Sequence, residues 1–188
     1  MPDLINNWEE KNDGLAVATI HHLAASGNNK NIALSGAYDC GSNIYNRSNN
    51  VWGERHVVNG DGFQCQINWN NPDTMWASPQ HAVYRSDDGG LTFNYKIGNL
   101  HWHTFFIQNN VNPKVLYSTN QYGIQKTVDH GDSWFLNANY PGVTNNKTWR
   151  IANSHTHTDY IYSSWFGNTA GNPQKVFKST TGGGMNTS

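Results

Sequence analysis

The stretch Ser86-Asp87-Asp88-Gly89-Gly90-Leu91-Thr92-Phe93 recurs along the chain as Thr127-Val128-Asp129-His130-Gly131-Asp132-Ser133-Trp134. We call these stretches box 1 and box 2. Both read Ser/Thr-x-Asp-x-Gly-x-Ser/Thr-aromatic, and their first residues are 41 positions apart. A motif that returns with a period of about 40 residues is typical of a repeat architecture, in which each repeat is one supersecondary unit.

The chemistry of each box predicts a tight β-hairpin. A hydroxyl and a carboxylate can accept hydrogen bonds from backbone N–H groups inside the turn, and glycine supplies a positive φ. The aromatic side chain then leaves the turn on the next strand and packs down. We therefore assign a structural role to the following residues: Ser86, Asp88, Gly90, Thr92 and Phe93 in box 1, and Thr127, Asp129, Gly131, Ser133 and Trp134 in box 2.

Strand-like segments repeat together with the boxes. Asn71-Pro72 and Asn112-Pro113 each open a segment rich in β-branched and aromatic residues, as strands require. The same frame extends in both directions, and residues 179–183 form a degenerate box with Thr181 in place of Asp. Four short strands in each repeat predict an all-β fold, a β-propeller of four-stranded antiparallel blades, with about four blades visible and the propeller incomplete.

The predicted blades span about residues 14–58, 59–98, 99–140 and 147–188, with the outer strand of the last blade lacking. The most ambiguous region runs from Gly14 to Ser26, and we assign it to the innermost strand of the first blade.

The boxes resemble the Asp-box, or BNR repeat, of sialidases, xyloglucanases, sortilin-type propellers and many secreted bacterial proteins. Three further segments look like landmarks of large extracellular sortilin-like or glycosyl-hydrolase-like propellers: Gly14-Leu15-Ala16-Val17, Tyr38-Asp39-Cys40-Gly41-Ser42 and Asn59-Gly60-Asp61-Gly62-Phe63. The resemblance covers nearly the whole chain. It implies the propeller fold, but it does not select one activity because the boxes are structural and recur across unrelated functions.

Composition agrees with an extracellular origin. The chain has 188 residues, of which only 13% are charged, and a formal net charge of −1. This charge gives no electrostatic case for nucleic acid or an anionic membrane, and no apolar run reaches the length of a membrane span.

We expect no cofactor and no metal. Because closed rings need more blades than this chain supplies, we expect the remaining blades of a longer secreted parent chain as partners, with any signal peptide upstream. The competing interpretation is a small protein that closes by oligomerisation.

Blade topology brings the two cysteines towards each other. Cys40 falls in the loop between the second and third strands of the first blade, and Cys65 near the start of the innermost strand of the second. An oxidising compartment would favour a Cys40–Cys65 disulfide. The alternative is two small buried residues that never meet.

Topology also predicts a ligand-binding face opposite the boxes, because binding residues tend to lie on loops that a rigid scaffold presents. We assign eight candidate ligand-binding residues to the loops of that face: Asp39, Asp61, His81, His101, Trp102, Gln121, Tyr122 and Trp165. Trp102 and Trp165 could be platforms for sugar rings, although packing is the more common role of a single tryptophan.

Asp39 and Asp61 are weak catalytic candidates as a paired acid and base, the arrangement that glycosidases use. The more ordinary interpretation is that each carboxylate caps a turn. A sialidase would also need an arginine cluster, which the arginines of this chain do not form in sequence.

His101-Trp102-His103 and His155-Thr156-His157 could each face a metal from one strand, but without further ligands we favour structural histidines.

The predicted function is an extracellular binding or scaffolding module that recognises glycan or protein at the loop face opposite the boxes. One alternative is a fragment of a glycoside hydrolase of the xyloglucanase-like BNR type, whose cleft is completed by missing blades. A second alternative is a structural adhesin segment. As an isolated fragment, the chain is not expected to be an enzyme.

Overall fold

The computed structural model describes residues 11, 19–46, 51–52, 58, 60–120, 123–139, 148–165 and 174–183. These residues contain strands and turns and no helix, and therefore no helix that could cross a membrane. The strands are β1 (Ile20–Ala25), β2 (Ile32–Ala37), β3 (Gly41–Asn46), β4 (Val51–Trp52), β5 (Cys65–Ile67), β6 (Met75–Ala77), β7 (Val83–Ser86), β8 (Asn94–Ile97), β9 (Phe106–Gln108), β10 (Leu116–Thr119), β11 (Gly123–Thr127), β12 (Phe135–Asn139), β13 (Thr148–Asn153), β14 (Ile161–Trp165) and β15 (Lys175–Ser179).

The strands form four antiparallel meanders in chain order. Sheet 1 contains β1 to β4, sheet 2 contains β5 to β8, sheet 3 contains β9 to β12, and sheet 4 contains β13 to β15 within the described residues. Every strand pairs with its neighbour in sequence, as in a propeller blade. The prediction of an all-β partial propeller built from four-stranded antiparallel blades is therefore confirmed. Within the segment assigned as the innermost strand, Gly14–Ser26, the described residues contain β1 from Ile20 to Ala25, and residues 14–18 lie outside the described residues.

Neighbouring sheets pack face to face through one hydrophobic cluster at each interface. Between sheets 1 and 2 the cluster contains Leu34, Cys65, Ile67 and Met75. Between sheets 2 and 3 it contains Trp76, Val83, Leu100, Phe106 and Leu116. Between sheets 3 and 4 it contains Val115, Tyr117, Ile124, Ile151, Ile161 and Trp165. The core is thus distributed over three interfaces, because a single thin sheet has no interior of its own.

Each box is a hairpin whose own side chains hydrogen-bond to its backbone. We call this set of hydrogen bonds the staple, with one half from the hydroxyl residue that opens the box and the other from the Asp. In box 2, Thr127 Oγ1 accepts the Gly131 N–H at 2.9 Å, and Asp129 Oδ1 accepts the Ser133 N–H at 2.9 Å. The Ser133 hydroxyl also donates to Asp129 Oδ2. These hydrogen bonds to the ionised carboxylate, led by that of the Ser133 hydroxyl, hold the pKa of Asp129 well below its usual range.

Box 1 has the same arrangement. Ser86 Oγ accepts the Gly90 N–H at 2.8 Å, and Asp88 Oδ1 accepts the Thr92 N–H at 2.9 Å. Hydrogen bonding to Asp88, chiefly by the hydroxyl of Thr92, lowers the pKa of this carboxyl to about 2. Gly90 adopts a φ of 89°, and a Cβ there would lie 1.9 Å from Ile44 Cδ1 of sheet 1. The positive φ of the turn therefore favours glycine, and a larger residue would also displace the terminal methyl group of Ile44.

The degenerate box keeps half of this staple. Ser179 Oγ accepts the Gly183 N–H at 2.9 Å, as the hydroxyl does in the complete boxes. Thr181 supplies no carboxylate, so the second half of the staple cannot form. The turn, in which Gly182 and Gly183 have positive φ, therefore has the hydrogen bond to the hydroxyl but not those to a carboxylate.

The boxes of sheets 2 and 3 are joined to each other. The His130 carbonyl of box 2 accepts hydrogen bonds from Trp76 Nε1 at 3.2 Å and from Arg85 Nη1 at 2.8 Å. Arg85 also forms ion pairs with Asp87 in box 1 and Asp132 in box 2. The guanidinium therefore fixes one hairpin against the next.

Substitution of Thr127 by Val tests the staple. The side chains have similar shape, but Val leaves the buried Gly131 N–H without its acceptor, which we expect to cost about 1–3 kcal/mol of unfolding free energy. The matched control is Thr92→Val, whose exposed hydroxyl only donates to Asp88, and we expect a loss below about 1 kcal/mol. Chemical denaturation of both variants measures the difference. Equal losses would show that the hydroxyl of Thr127 has no special role.

Candidate functional site

Sheets 1 and 2 approach each other unusually closely on the face opposite the boxes. The Gly62 N–H donates to the Ala37 carbonyl at 2.9 Å, and the Gly41 N–H donates to the Gly60 carbonyl at 2.8 Å. A Cβ on Gly62 would lie 2.0 Å from the Gly41 oxygen, and one on Gly36 would lie 2.1 Å from the Phe63 oxygen. Only glycines permit this approach, which places Phe63 beneath the β2–β3 turn.

Phe63 is the centre of a cluster of rings on this face. His103 stacks on Phe63 with ring centroids 4.4 Å apart, and His21 meets the same ring edge-on at 5.1 Å. Tyr38 lies 5.7 Å from His21, centroid to centroid, and its side chain is 48% exposed. The rings come from sheet 1 and from the segments that precede β5 and β9.

Trp102 continues this surface on the side of sheet 2. Its indole is 46% exposed and meets the His81 ring edge-on, with centroids 5.2 Å apart. His81 is fixed in turn, because its Nδ1 donates to the Leu100 carbonyl at 2.9 Å and its carbonyl accepts the Leu100 N–H. We call the six side chains His21, Tyr38, Phe63, His81, Trp102 and His103 the aromatic rim.

In the turns between the second and third strands of sheets 1 and 2, one non-glycine residue each has a left-handed backbone conformation. Asp39, in the β2–β3 turn, has a φ of 57°, and His81, in the β6–β7 turn, has a φ of 61°. Such conformations are unfavourable for residues other than glycine and persist only where the surroundings fix them. The two turns occupy equivalent positions in successive sheets, so both are held in one defined shape beside the rim.

Asp39 and Asp61 are brought together, but not as two exposed carboxylates. Asp61 is only 4% exposed, and its Oδ1 accepts the backbone N–H of Asp39 at 3.0 Å. Asp39 is exposed. The contact therefore joins a buried carboxylate to the backbone of a turn, which is the ordinary turn-holding role of an aspartate.

Beside the rim, the first strands of sheets 1, 3 and 4 and Gln64, which directly precedes the first strand of sheet 2, surround a cavity of about 230 Å³. We call it the inner-strand cavity. Its lining includes His21, His22, Gln64, Phe105, Ile107 and Arg150. Arg150 lies over the face of Phe105, with Cζ 3.7 Å from the ring centroid. A neighbouring cavity of about 320 Å³ shares His22, Gln64 and Ile107 with it.

His22 is held between two neighbours. Its Nε2 lies 3.1 Å from Gln64 Nε2, and its Nδ1 lies 3.4 Å from Cys65 Sγ. Burial, and then the charge of Arg150, lowers the pKa of His22. Burial also raises the pKa of Cys65 to about 12, so the thiol remains protonated and is a poor nucleophile. The Cys65–His22 pair is therefore not an activated dyad.

The structure does not join Cys40 to Cys65. Cys65 Sγ donates to the Leu34 carbonyl at 3.0 Å, inside the interface between sheets 1 and 2. Leu34 lies three residues before the end of β2, about 10 Å along the strand, whereas Cys40 lies in the turn beyond β2. That separation exceeds what a disulfide can bridge.

The other predicted site residues have different surroundings. Trp165 is 2% exposed and packs in the core between sheets 3 and 4, so as placed it offers no platform to a ligand. His101 lies beside the rim, where its Nδ1 accepts the His103 N–H at 3.2 Å. Gln121 and Tyr122 lie outside the described residues. The part of the chain that the structure describes contains no group of three or more His, Cys, Asp or Glu placed to bind a metal.

Solved structures with a similar arrangement of strands include GH74 enzymes and an extracellular domain. An ancestral GH74 enzyme matches with a TM-score of 0.64 and 17% identity over 78% of this chain and 22% of its own. The Niastella koreensis GH74 enzyme matches with a TM-score of 0.64 and 15% identity, over 85% of this chain and 28% of its own. The GH74 xyloglucanase from Xanthomonas campestris matches with a TM-score of 0.59 and 14% identity, over 86% of this chain and 29% of its own.

The extracellular domain of a putative hybrid two component system from B. thetaiotaomicron also matches, with a TM-score of 0.59 and 10% identity over 84% of this chain and 22% of its own. No family model and no curated protein matches the chain. At these identities the likeness establishes the fold alone. The chain spans less than a third of the length of each of these solved structures.

Sequence reasoning missed most of the cavity. It assigned no ligand role to His21, His22, Gln64, Phe105 or Arg150. A signal was present: Gln64 and Phe105 are 41 positions apart, the period of the boxes, and each precedes the innermost strand of its sheet. Arg150 was considered only as part of an arginine cluster, although one arginine on an inner strand already places a charge in the cavity.

Substitution of Gly62 by Ala tests whether glycine contact sets the position of the rim. We expect Gly62→Ala to cost about 1–3 kcal/mol of unfolding free energy, the usual range for overpacking, because backbone must move to admit the methyl group. Gly27→Ala is the matched control, since a Cβ there has nothing within 4 Å. Thermal unfolding of both variants measures the effect. A Gly62→Ala protein as stable as Gly27→Ala would contradict the close approach.

Proposed function

We propose that this chain is part of an extracellular propeller that binds glycan chains at the aromatic rim. The observation that carries the proposal is the pair of half-exposed rings, Tyr38 and Trp102, held on one face by histidine side chains. His21 orients Tyr38, and His81 orients Trp102. A sugar ring combines an apolar face with polar edges, and an exposed aromatic ring bordered by hydrogen-bonding groups matches both.

Rigidity favours a binding role for these rings. The turns beside them are fixed by backbone hydrogen bonds and by the close approach of sheets 1 and 2 at Gly62. Binding to a surface that is already ordered loses little conformational entropy. The opposite face is occupied by the box hairpins, whose carboxylates are engaged in their own turns.

Likeness of fold supports the class of protein that we propose. Three of the solved structures named above are GH74 enzymes, and the fourth is an extracellular domain. The hydrogen bonding of box 1 and box 2 supports our further proposal that the chain belongs with the Asp-box propellers. The remaining blades of a longer chain are then the proposed structural partners, and secretion the proposed destination.

A glycoside hydrolase fragment is the second candidate, and it is favoured by the GH74 matches. It would use Asp39 and Asp61 as acid and base. Burial of Asp61 and its hydrogen bond to the Asp39 N–H favour a turn-holding role instead. A purely structural adhesin segment would bind no glycan, so the first experiment below distinguishes it.

Loss of the Trp102 ring should weaken glycan binding. We expect Trp102→Ala to reduce affinity for xyloglucan oligosaccharides by about tenfold, since a stacked aromatic contributes on the order of 1 kcal/mol beyond its burial. The matched control is Trp69→Ala, because Trp69 is also exposed but lies with the box face and donates to the Asn109 carbonyl. Isothermal titration calorimetry, preceded by a glycan array to find the best oligosaccharide, measures both. Absence of binding by the wild-type chain to every glycan would contradict the proposal.

Hydrolysis distinguishes the binding module from the enzyme fragment. We expect the wild-type chain to release no reducing sugar from xyloglucan, and the Asp39→Asn and Asp61→Asn variants to behave in the same way. Release of reducing sugar by the wild type that Asp39→Asn abolishes would establish the hydrolase alternative. A colorimetric assay for reducing ends, with each variant checked for folding by circular dichroism, gives the answer.

A further inference from the structure

Sheets 2, 3 and 4 each carry the same set of three side chains on one face. An aromatic residue on the second strand pairs across the sheet with a cation on the third strand. An aliphatic residue lies two positions before the cation, and therefore on the same face. We call these sets the contact triads: Trp76, Val83 and Arg85 in sheet 2, Tyr117, Ile124 and Lys126 in sheet 3, and Tyr162, Val176 and Lys178 in sheet 4.

The contact triads of sheets 2 and 3 pack on the next sheet along the chain. Trp76 and Val83 belong to the cluster between sheets 2 and 3, and Tyr117 and Ile124 belong to the cluster between sheets 3 and 4. All four side chains are buried. The face that carries a contact triad is therefore the face on which the following sheet is stacked.

The cation of each of these two triads donates to one particular carbonyl of the following sheet. Arg85 Nη1 donates at 2.8 Å to the carbonyl of His130, the fourth residue of box 2. Lys126 Nζ donates at 3.5 Å to the carbonyl of Gly182, the fourth residue of the degenerate box. In both hairpins the N–H of that fourth residue donates to a carbonyl within its own repeat. The hairpin thus presents its fourth carbonyl to the preceding sheet, where a cation meets it.

The contact triad of sheet 4 has a similar geometry but is exposed to solvent. Lys178 Nζ lies 5.9 Å from the ring centroid of Tyr162, as Lys126 Nζ lies 5.4 Å from that of Tyr117. Tyr162 is 39% exposed and Val176 is 75% exposed. The aromatic and aliphatic positions that the other two sheets bury are therefore accessible on this one.

We propose that the contact triad of sheet 4 binds a further four-stranded sheet, whose box-type hairpin presents its fourth carbonyl to Lys178. Tyr162 and Val176 pack on that sheet as Trp76 and Val83 pack on sheet 3. The occupant is the next repeat of a longer chain. This proposal rests on the part of the proposed function that makes the chain part of a larger propeller, and it does not depend on glycan binding at the aromatic rim.

A second copy of this chain does not match the contact triad as well. The structure describes three hairpins of the box type, and each already faces the sheet before it. A Cβ on Gly90 of box 1 would meet Ile44 of sheet 1, while box 2 and the degenerate box accept hydrogen bonds from Arg85 and Lys126. None of these three hairpins is available to the Lys178 of another molecule.

An extended chain tests the proposal. It consists of residues 1–188 followed by a second copy of residues 91–140, which contains an outer strand for sheet 4 and then sheet 3 with box 2. We expect hydroxyl-radical footprinting to label Tyr162 and Val176 about tenfold more slowly than in the wild type, as a docking equilibrium of that size requires. Tyr38, which is exposed on sheet 1, is the reference and should react equally in both chains.

Substitution of Lys178 by Met in the extended chain tests the cation. We expect docking to weaken about tenfold, in the range of a hydrogen bond from a charged donor, so that the protection of Tyr162 is largely lost. The matched control is Lys175→Met on the same strand. Lys175 lies on the opposite face, over the ring of Trp165, and its loss should leave the protection of Tyr162 unchanged.

A comparison within the wild-type chain covers the case in which the extended chain does not fold. Lys126 already bonds the hairpin of the following sheet, so we expect Lys126→Met to lower the urea midpoint of unfolding more than Lys178→Met does. Equal midpoints for the two variants would show that the cation of a contact triad does not link successive sheets, and would overturn the proposal.

The remaining outcomes separate this proposal from the proposed function. Full labelling of Tyr162 in a folded extended chain would overturn the docking proposal and leave glycan binding intact. Docking by a chain that binds no glycan would overturn the glycan-binding function and leave the docking proposal intact. A wild-type dimer in analytical ultracentrifugation that Lys178→Met dissociates would assign the face to a second copy, and so would overturn the choice of occupant.

Discussion

A thin antiparallel sheet cannot bury either of its faces alone, so the structure depends on packing between successive sheets. Three clusters of buried side chains supply that packing, one at each interface. The contacts are renewed in each repeat, which is why stability in such an arrangement is shared among interfaces rather than concentrated in one core. Hydrogen bonds between sheets also fix how one sheet is oriented on the next. The His130 carbonyl accepts hydrogen bonds from the side chains of Trp76 and Arg85 of the preceding sheet.

The close approach of the backbones of sheets 1 and 2 shapes the face opposite the boxes. Because Gly36 and Gly62 allow backbone to meet backbone, the ring of Phe63 lies where His21 and His103 can both pack on it. The inner strands of sheets 1, 3 and 4 and Gln64 of sheet 2 also surround one cavity. The proposed binding surface is therefore a product of the way the sheets pack, and no single sheet contains it.

The repeat was the part of the fold that could be predicted in detail. Box 1 and box 2 mark the hairpin between the third and fourth strands of sheets 2 and 3, and the Asn-Pro segments precede the second strand of each. Within the segment 14–26 that was assigned to the first strand, the described residues contain β1, which begins at Ile20. Trp165 lies at the end of β14, but its neighbours in sequence do not reveal that its side chain packs in a buried cluster with Ile151 and Ile161.

The sequence alone determined the architecture, because a hairpin motif encodes its own hydrogen bonds within eight residues and its spacing counts the strands between copies. It also determined which loops share a face, since strands that alternate in direction leave no choice. Only the tertiary structure decided which side chains meet: that Cys65 lies beside Leu34 instead of Cys40, that Asp61 holds the Asp39 turn, and that Arg150 enters the cavity. Those pairings depend on how neighbouring sheets stack, and stacking is set by contacts between residues of different repeats, such as Asp39 with Asp61, 22 positions apart, and Leu34 with Cys65, 31 positions apart. A local motif does not record such contacts.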